Sequence, residues 1–153
     1  MELLLWRHAD AEDGLIDLKR ELTDKGRRQA AKVAKWLRPR LDGSWRVLAS
    51  PAVRATQTAD ALDRDYEVRP ALQPGAGVDA LLHEAGWPDG KVNVVLVGHQ
   101  PTLGRVAARL LTGHAIDLSV KKGALWWFSA RPGPGGSPGE TILKAVIGPD
   151  LAG

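Results

Sequence analysis

The sequence contains no cysteine. Disulfides and thiolate chemistry are thereby excluded, and a reducing, cytoplasmic setting is expected. No apolar stretch reaches the roughly 18 residues that span a bilayer. Met1 runs straight into ELLLWRH without a basic leader or cleavage site, so neither a membrane segment nor a secretory signal is expected. No G-x-G-x-x-G follows the first apolar run and there is no P-loop, which removes dinucleotide folds and disfavours nucleoside triphosphate chemistry. A G-x-S-x-G elbow for a serine hydrolase is missing too. The four histidines are widely spaced and lack neighbouring ligands, so no metal site is expected.

What is present is ordinary in bulk. The 153 residues are 44% hydrophobic and 25% charged, enough for one domain over 1–153 with a proper core. The net charge of +3 owes most to KGRRQAAKVAKWLRPR, where the basic residues fall on the polar side of one helix. Nucleic-acid binding is therefore not expected, although an anionic substrate needs only a local cluster of such charge.

The order of elements is more telling. ELLLWRH is a short, continuously apolar run, as in a strand buried on both faces. LTDKGRRQAAKVAKWLRP reads as a helix capped by Thr23 and stopped by Pro39, with Ala30, Val33, Ala34 and Leu37 on one face. WRVLAS is a second strand, and Ser50-Pro51 predicts the start of the helix VRATQTADAL, with Ser50 as cap. YEVRPAL is a weak strand, and GVDALLHEAG a helix closed by Gly86. VNVVLVGH is the clearest strand of all. PTLGRVAARLLTG follows as a helix with Leu103, Val106, Ala107, Leu110 and Leu111 on its apolar face. ALWWFSA and TILKAVIG flank RPGPGGSPGE, read as a hairpin with a long, mobile Pro/Gly-rich loop over 132–139. Trp126 and Trp127 must place one ring on each face of their strand. The sum is an α/β three-layer sandwich: a mainly parallel sheet, helices on both faces, and a C-terminal antiparallel hairpin.

In an open α/β sheet, ligands bind beyond the carboxyl ends of the strands. The first strand ends in Arg7-His8, the second leads into a helix whose first turn carries Arg54, and VNVVLVGH ends in His99. Two arginines and two histidines thus converge from three segments, with two helix starts beside them. Cations repel one another, and a phosphate dianion would offset that repulsion. Guanidinium groups bind phosphate oxygens in pairs. Of two imidazoles, one can attack phosphorus while the other stabilises the transferring oxygens. His83 and His114 belong to no such pattern and read as structural or surface residues.

These pieces resemble the histidine phosphatase superfamily. RHADAE is similar to its Arg-His-Gly signature, with Ala9 in the usual glycine place. SPAVRATQTA is similar to its Ser-Pro-x-x-Arg-x-x-Gln-Thr element, LTDKGRRQA to its Leu-Thr-x-x-Gly-x-x-Gln-Ala helix start, and VGHQP to its second-histidine element. The order and spacing match to about residue 112. The short chain most resembles the bacterial phosphohistidine phosphatases, which lack insertions folded over the substrate.

The resemblance implies a hydrolase acting through a phosphohistidine intermediate on His8. Arg7, Arg54 and His99 would bind the phosphoryl oxygens, and Arg20 is similar in position to a further basic residue that can reach phosphate. Neither metal nor cofactor is implied. The implied partners are a phosphohistidine-bearing protein in a signalling role, or a small phosphoester, with inorganic phosphate as product. Many relatives protonate the leaving oxygen with an acid, for which Asp79 and Glu84 are the candidates here. Two other readings remain: a phosphatase for small phosphomonoesters, and a non-catalytic module that binds phosphate.

Overall fold

The computed structural model describes residues 1–136 and 139–153. A six-stranded sheet forms the middle layer. Its strands are β1 (Glu2–Arg7), β2 (Trp45–Ala49), β3 (Glu67–Val68), β4 (Asn93–Gly98), β5 (Leu125–Arg131) and β6 (Glu140–Ile147). They lie in the order β3-β2-β4-β1-β5-β6. The first four pair in parallel, and β5 and β6 continue antiparallel beyond β1. The helices are α1 (Asp24–Leu37), α2 (Val53–Asp60), α3 (Val78–Ala85) and α4 (Thr102–Thr112). None among the described residues is long and apolar enough to cross a membrane.

The unbroken apolar run of β1 follows from its place. Leu4 and Trp6 pack with α1 and α2 on one face, while Leu3 and Leu5 pack with α3 and α4 on the other. Val95 and Val97 of β4 repeat the first pattern, Val94 and Leu96 the second. Side chains alternate along a strand, so only a strand covered on both faces can be apolar at every position. Trp127 and Trp126 divide in the same way, and neither ring is left exposed.

α1 is held to the turn after His8 by its own cap. The Thr23 hydroxyl accepts from the Gly26 amide (2.9 Å) and donates to Asp10 Oδ2 (2.7 Å). A Cβ on Gly26 would lie 1.9 Å from the Asp10 carbonyl oxygen. Only glycine allows that approach, which gives the LTDKG element its physical reason.

Three expectations need revision. α2 begins at Val53, not at Ser50-Pro51. The Ser50 amide still donates to Val97 O and so continues the sheet, while Ser50 Oγ accepts from the Ala52 amide in a short turn. The YEVRPAL strand shrinks to Glu67–Val68, because Pro70 opens a 3-10 turn. Leu111 is exposed, not buried. Gly104 packs against the Leu118 carbonyl, where a Cβ would lie 1.7 Å away, and Ala108 is buried on the same side, so Leu111 leaves the core by its place in the last turn, where burial along this face ends at exposed Leu111 and Thr112. The mobile loop expected over 132–139 includes residues 137 and 138, which lie outside the described residues.

Candidate active site

β1 and β4 are neighbours in register, with Arg7 opposite Gly98, and the His8 amide donates to the Gly98 carbonyl (3.1 Å). The residue after each strand is therefore a histidine at the same level. Their rings lie 5.2 Å apart between centroids, tilted by 52°. Both are buried.

The His8 ring has a defined tautomer. Its Nδ1 lies 2.8 Å from the Ala9 carbonyl oxygen. A carbonyl only accepts, so Nδ1 carries the hydrogen and Nε2 keeps its lone pair. Burial pushes the His8 pKa down to about 4, with Arg54, Arg7 and Arg20 adding to the shift and the Ala9 hydrogen bond opposing it. Burial thus outweighs the cations. Burial also takes His99 down to about 3, helped by His8, Arg54 and Arg7 and opposed by the Asp17 carboxylate. Both imidazoles are neutral at pH 7. His99 Nε2 lies 2.7 Å from Ser50 Oγ, while its Nδ1 is buried without a partner.

The turn after His8 is braced on both sides. The Ala9 amide donates to Thr58 Oγ1 (3.1 Å), and the Leu22 amide to Gln57 Oε1 (2.8 Å). This is what the Gln-Thr pair in SPAVRATQTA does. Ala9 has no left-handed backbone, and its methyl is buried with Leu22 and Ala30. The missing glycine is thereby accommodated. On the far side, the Gly123 amide donates to the carbonyls of Arg7 (3.2 Å) and His8 (3.1 Å).

The arginines are anchored from outside. Arg7 Nη1 donates to the Val120 carbonyl (2.8 Å), and burial lowers its pKa. Arg54, only 4% exposed, donates from Nη1 to the Asp17 carbonyl (2.7 Å) and from Nη2 to Asp17 Oδ2 (3.1 Å). Arg20 donates from Nη1 to Asp17 Oδ1 (3.1 Å) and from Nε to the Glu12 carbonyl (2.7 Å). Asp17 therefore bridges Arg20 and Arg54, and these two hold its carboxyl below the usual range. Nε of Arg7 and Nε of Arg54 are, like His99 Nδ1, buried without a partner. Buried polar atoms without partners are uncommon. That three fall on three residues of one cluster is notable.

The structure thus brings His8, Arg7, Arg54 and His99 together, with Arg20 joined through Asp17. It does not bring Asp79 or Glu84 to the imidazoles. Asp79 is exposed and ion-paired with Arg109 (3.1 Å), and Glu84 is paired with Arg69 (2.8 Å). His83 and His114 are exposed. Asp17 and Ser50 are the site residues whose contacts sequence reasoning missed. Asp17 lies in a loop without periodicity, and Ser50 was assigned to a cap. A cavity of about 690 Å³ lies elsewhere: Met1, Trp87, Pro88 and Thr141 line it at the amino end of the sheet. No group of three or more described His, Asp or Glu side chains could hold a metal ion.

Comparison with known proteins points one way. The model of the histidine phosphatase superfamily (branch 1) matches residues 3–76. The chain is 32% identical over 122 residues to the phosphohistidine phosphatase SixA of Escherichia coli, covering 74% of this chain and 76% of that protein. The solved structure of the protein histidine phosphatase SixA complexed with tungstate superposes with a TM-score of 0.80 at 25% identity, over 98% of both chains. A mycobacterial glucosyl-3-phosphoglycerate phosphatase shares the fold, with a TM-score of 0.67 at 20% identity over 94% of this chain and 97% of that one.

Proposed function

The chain belongs to the histidine phosphatase superfamily and is a phosphatase, and from that premise we propose that it hydrolyses phosphohistidine in proteins through a covalent intermediate on His8. The observation that carries the substrate choice is the state of the nearby carboxylates. Asp17 is kept ionised by Arg20 and Arg54, and Asp10 by Thr23 and Lys122. Asp79 and Glu84 are engaged elsewhere. An alcohol leaving group needs a proton as it departs. A phosphoimidazole protonated beforehand on its free nitrogen leaves as neutral imidazole and needs none.

In this reading His8 Nε2 attacks phosphorus. The substrate N–P bond breaks and its electron pair returns to the substrate nitrogen. His8 becomes a phosphoimidazolium whose Nδ1–H still donates to Ala9, which stabilises the charge. Arg7, Arg54 and His99 hold the phosphoryl oxygens, with Arg20 positioned behind Asp17. Water then attacks phosphorus, the His8 N–P bond breaks, and inorganic phosphate leaves with the water's protons. Tungstate is a tetrahedral oxyanion, and its complex with a SixA protein supports an oxyanion site. Residues 1–153 act as one domain in this proposal, and the cysteine-free sequence goes with a cytoplasmic signalling role.

The test is a side-by-side assay of phosphohistidine peptide, phosphoramidate and simple phosphomonoesters. Hydrolysis of the N–P compounds at least about 100-fold faster in kcat/KM is expected, the size of a general-acid contribution. Faster turnover of the monoesters overturns the substrate assignment.

A further inference from the structure

Asp17 belongs to a loop that is unusual for its surface. The loop is closed at its base by a bridge between Ala11 and Leu22 and by the Glu12 amide donating to the Glu21 carbonyl (2.8 Å). Arg20 Nε ties it again to the Glu12 carbonyl, and Asp17 fastens it to Arg54. A loop so held has no need of apolar residues facing water, yet Leu15 is 106% exposed, Ile16 57% and Leu18 44%. No other three exposed large apolar side chains among the described residues fall within so short a stretch. Single exposed apolar residues are ordinary, whereas a cluster on a fixed surface marks a contact.

Its position says what makes that contact. Leu15, Ile16 and Leu18 flank Asp17, whose carboxylate and carbonyl both hold the buried guanidinium of Arg54. A body covering these side chains therefore lies against the loop that holds Arg54. The phosphoryl group looks the same on every phosphohistidine, so discrimination among proteins has to come from beside it. Resting on the phosphohistidine reading above, we propose that Leu15, Ile16 and Leu18 form a docking contact for apolar side chains flanking the phosphohistidine of a protein substrate. Covering them also steadies Asp17, and through it the aim of Arg54.

The test uses two phosphohistidine peptides, one flanked by leucines and one by serines, with phosphoramidate as the flank-free control. The wild type is expected to favour the leucine-flanked peptide by about tenfold in kcat/KM, equivalent to about 1.4 kcal/mol. The triple variant Leu15→Ser, Ile16→Ser, Leu18→Ser is expected to lose that preference while hydrolysing phosphoramidate at the wild-type rate, and Leu15→Ser alone to lose part of it. A wild type indifferent to the flanks overturns the docking contact and leaves the phosphohistidine reading standing. A triple variant equally impaired on phosphoramidate overturns it as well, because the loop then serves only Arg54. A shift from dimer to monomer in the variant with unchanged peptide preference assigns the patch to a second copy of the chain. Failure of the wild type on both peptides, with turnover of monoesters, refutes the substrate reading itself.

Discussion

The two ends of the sheet differ in kind. The amino end holds the large cavity, beside Met1, Trp87 and Pro88. Trp45 and Trp127 pack edge to face nearby on the α1 side. The carboxyl end gathers two neutral imidazoles, the buried Arg54 and three buried polar atoms without partners. A roomy pocket is the usual first guess for a binding site. Here room and chemistry separate. A tetrahedral oxyanion is small, and gripping it needs convergent donors and a desolvated nucleophile more than space.

The sharpest way to break the contrast is to exchange the ends in importance. His8→Ala is expected to abolish turnover, at least about 1,000-fold in kcat, and to stop the trapping of ³²P-phosphate on the protein. Trp87→Ala in the cavity is expected to leave kcat/KM within about twofold. Comparable losses in the two variants would erase the distinction. His99→Ala, removing one group proposed to stabilise the transferring oxygens, is expected to leave weak activity, down about 100-fold, with ³²P still trapped on His8 in a rapid-quench measurement.

Asp17→Asn is a finer probe. It keeps the shape and removes the charge that orients Arg54 and Arg20. A fall in kcat/KM of about three- to tenfold is expected, on the scale of a partly exposed charge-assisted hydrogen bond, measured with phosphoramidate. No change would show that the negative charge of Asp17 is not what aims Arg54.

The last prediction concerns protons. Both imidazoles have folded-state values, about 4 and about 3, below the unfolded value of 6.5. Between those limits the unfolded chain binds more protons than the folded one, so stability falls as pH drops from 7 towards 4. At pH 5 the loss is up to roughly 2 kcal/mol for each histidine. Denaturant melts at pH 7 and 5 are expected to show part of that loss missing in His8→Ala and in His99→Ala. The ring C–H resonances of both residues are expected not to titrate between pH 8 and 5, and titration near 6.5 would contradict their burial.

Much of this was legible in the residues themselves. β1 and β4 announced themselves by unbroken apolar runs, because their faces are covered by helices on both sides. His8 and His99 followed, since the residue after each strand sits at the same level in a parallel pair. The engagement of the two candidate acids was not legible. Asp79 and Glu84 stand at suitable places in the chain, but Arg109 and Arg69 claim them, and those pairings depend on how α3 lies against α4 and β3. Asp17 escaped notice for the converse reason: its loop has no period, and its meaning comes from two arginines, one of them 37 residues away. Ser50 shows a third case, a residue placed in the right turn whose hydroxyl serves the second imidazole and not a helix end.

β1 lies in the middle of the sheet, between β4 and β5. A chain still leaving the ribosome has already made His8, the proposed nucleophile, but the strand that sets the opposing imidazole beside it lies far along the chain. The two imidazoles therefore face each other only after the first and fourth strands have met. Nascent fragments that stop short of that meeting carry His8 without a working pocket.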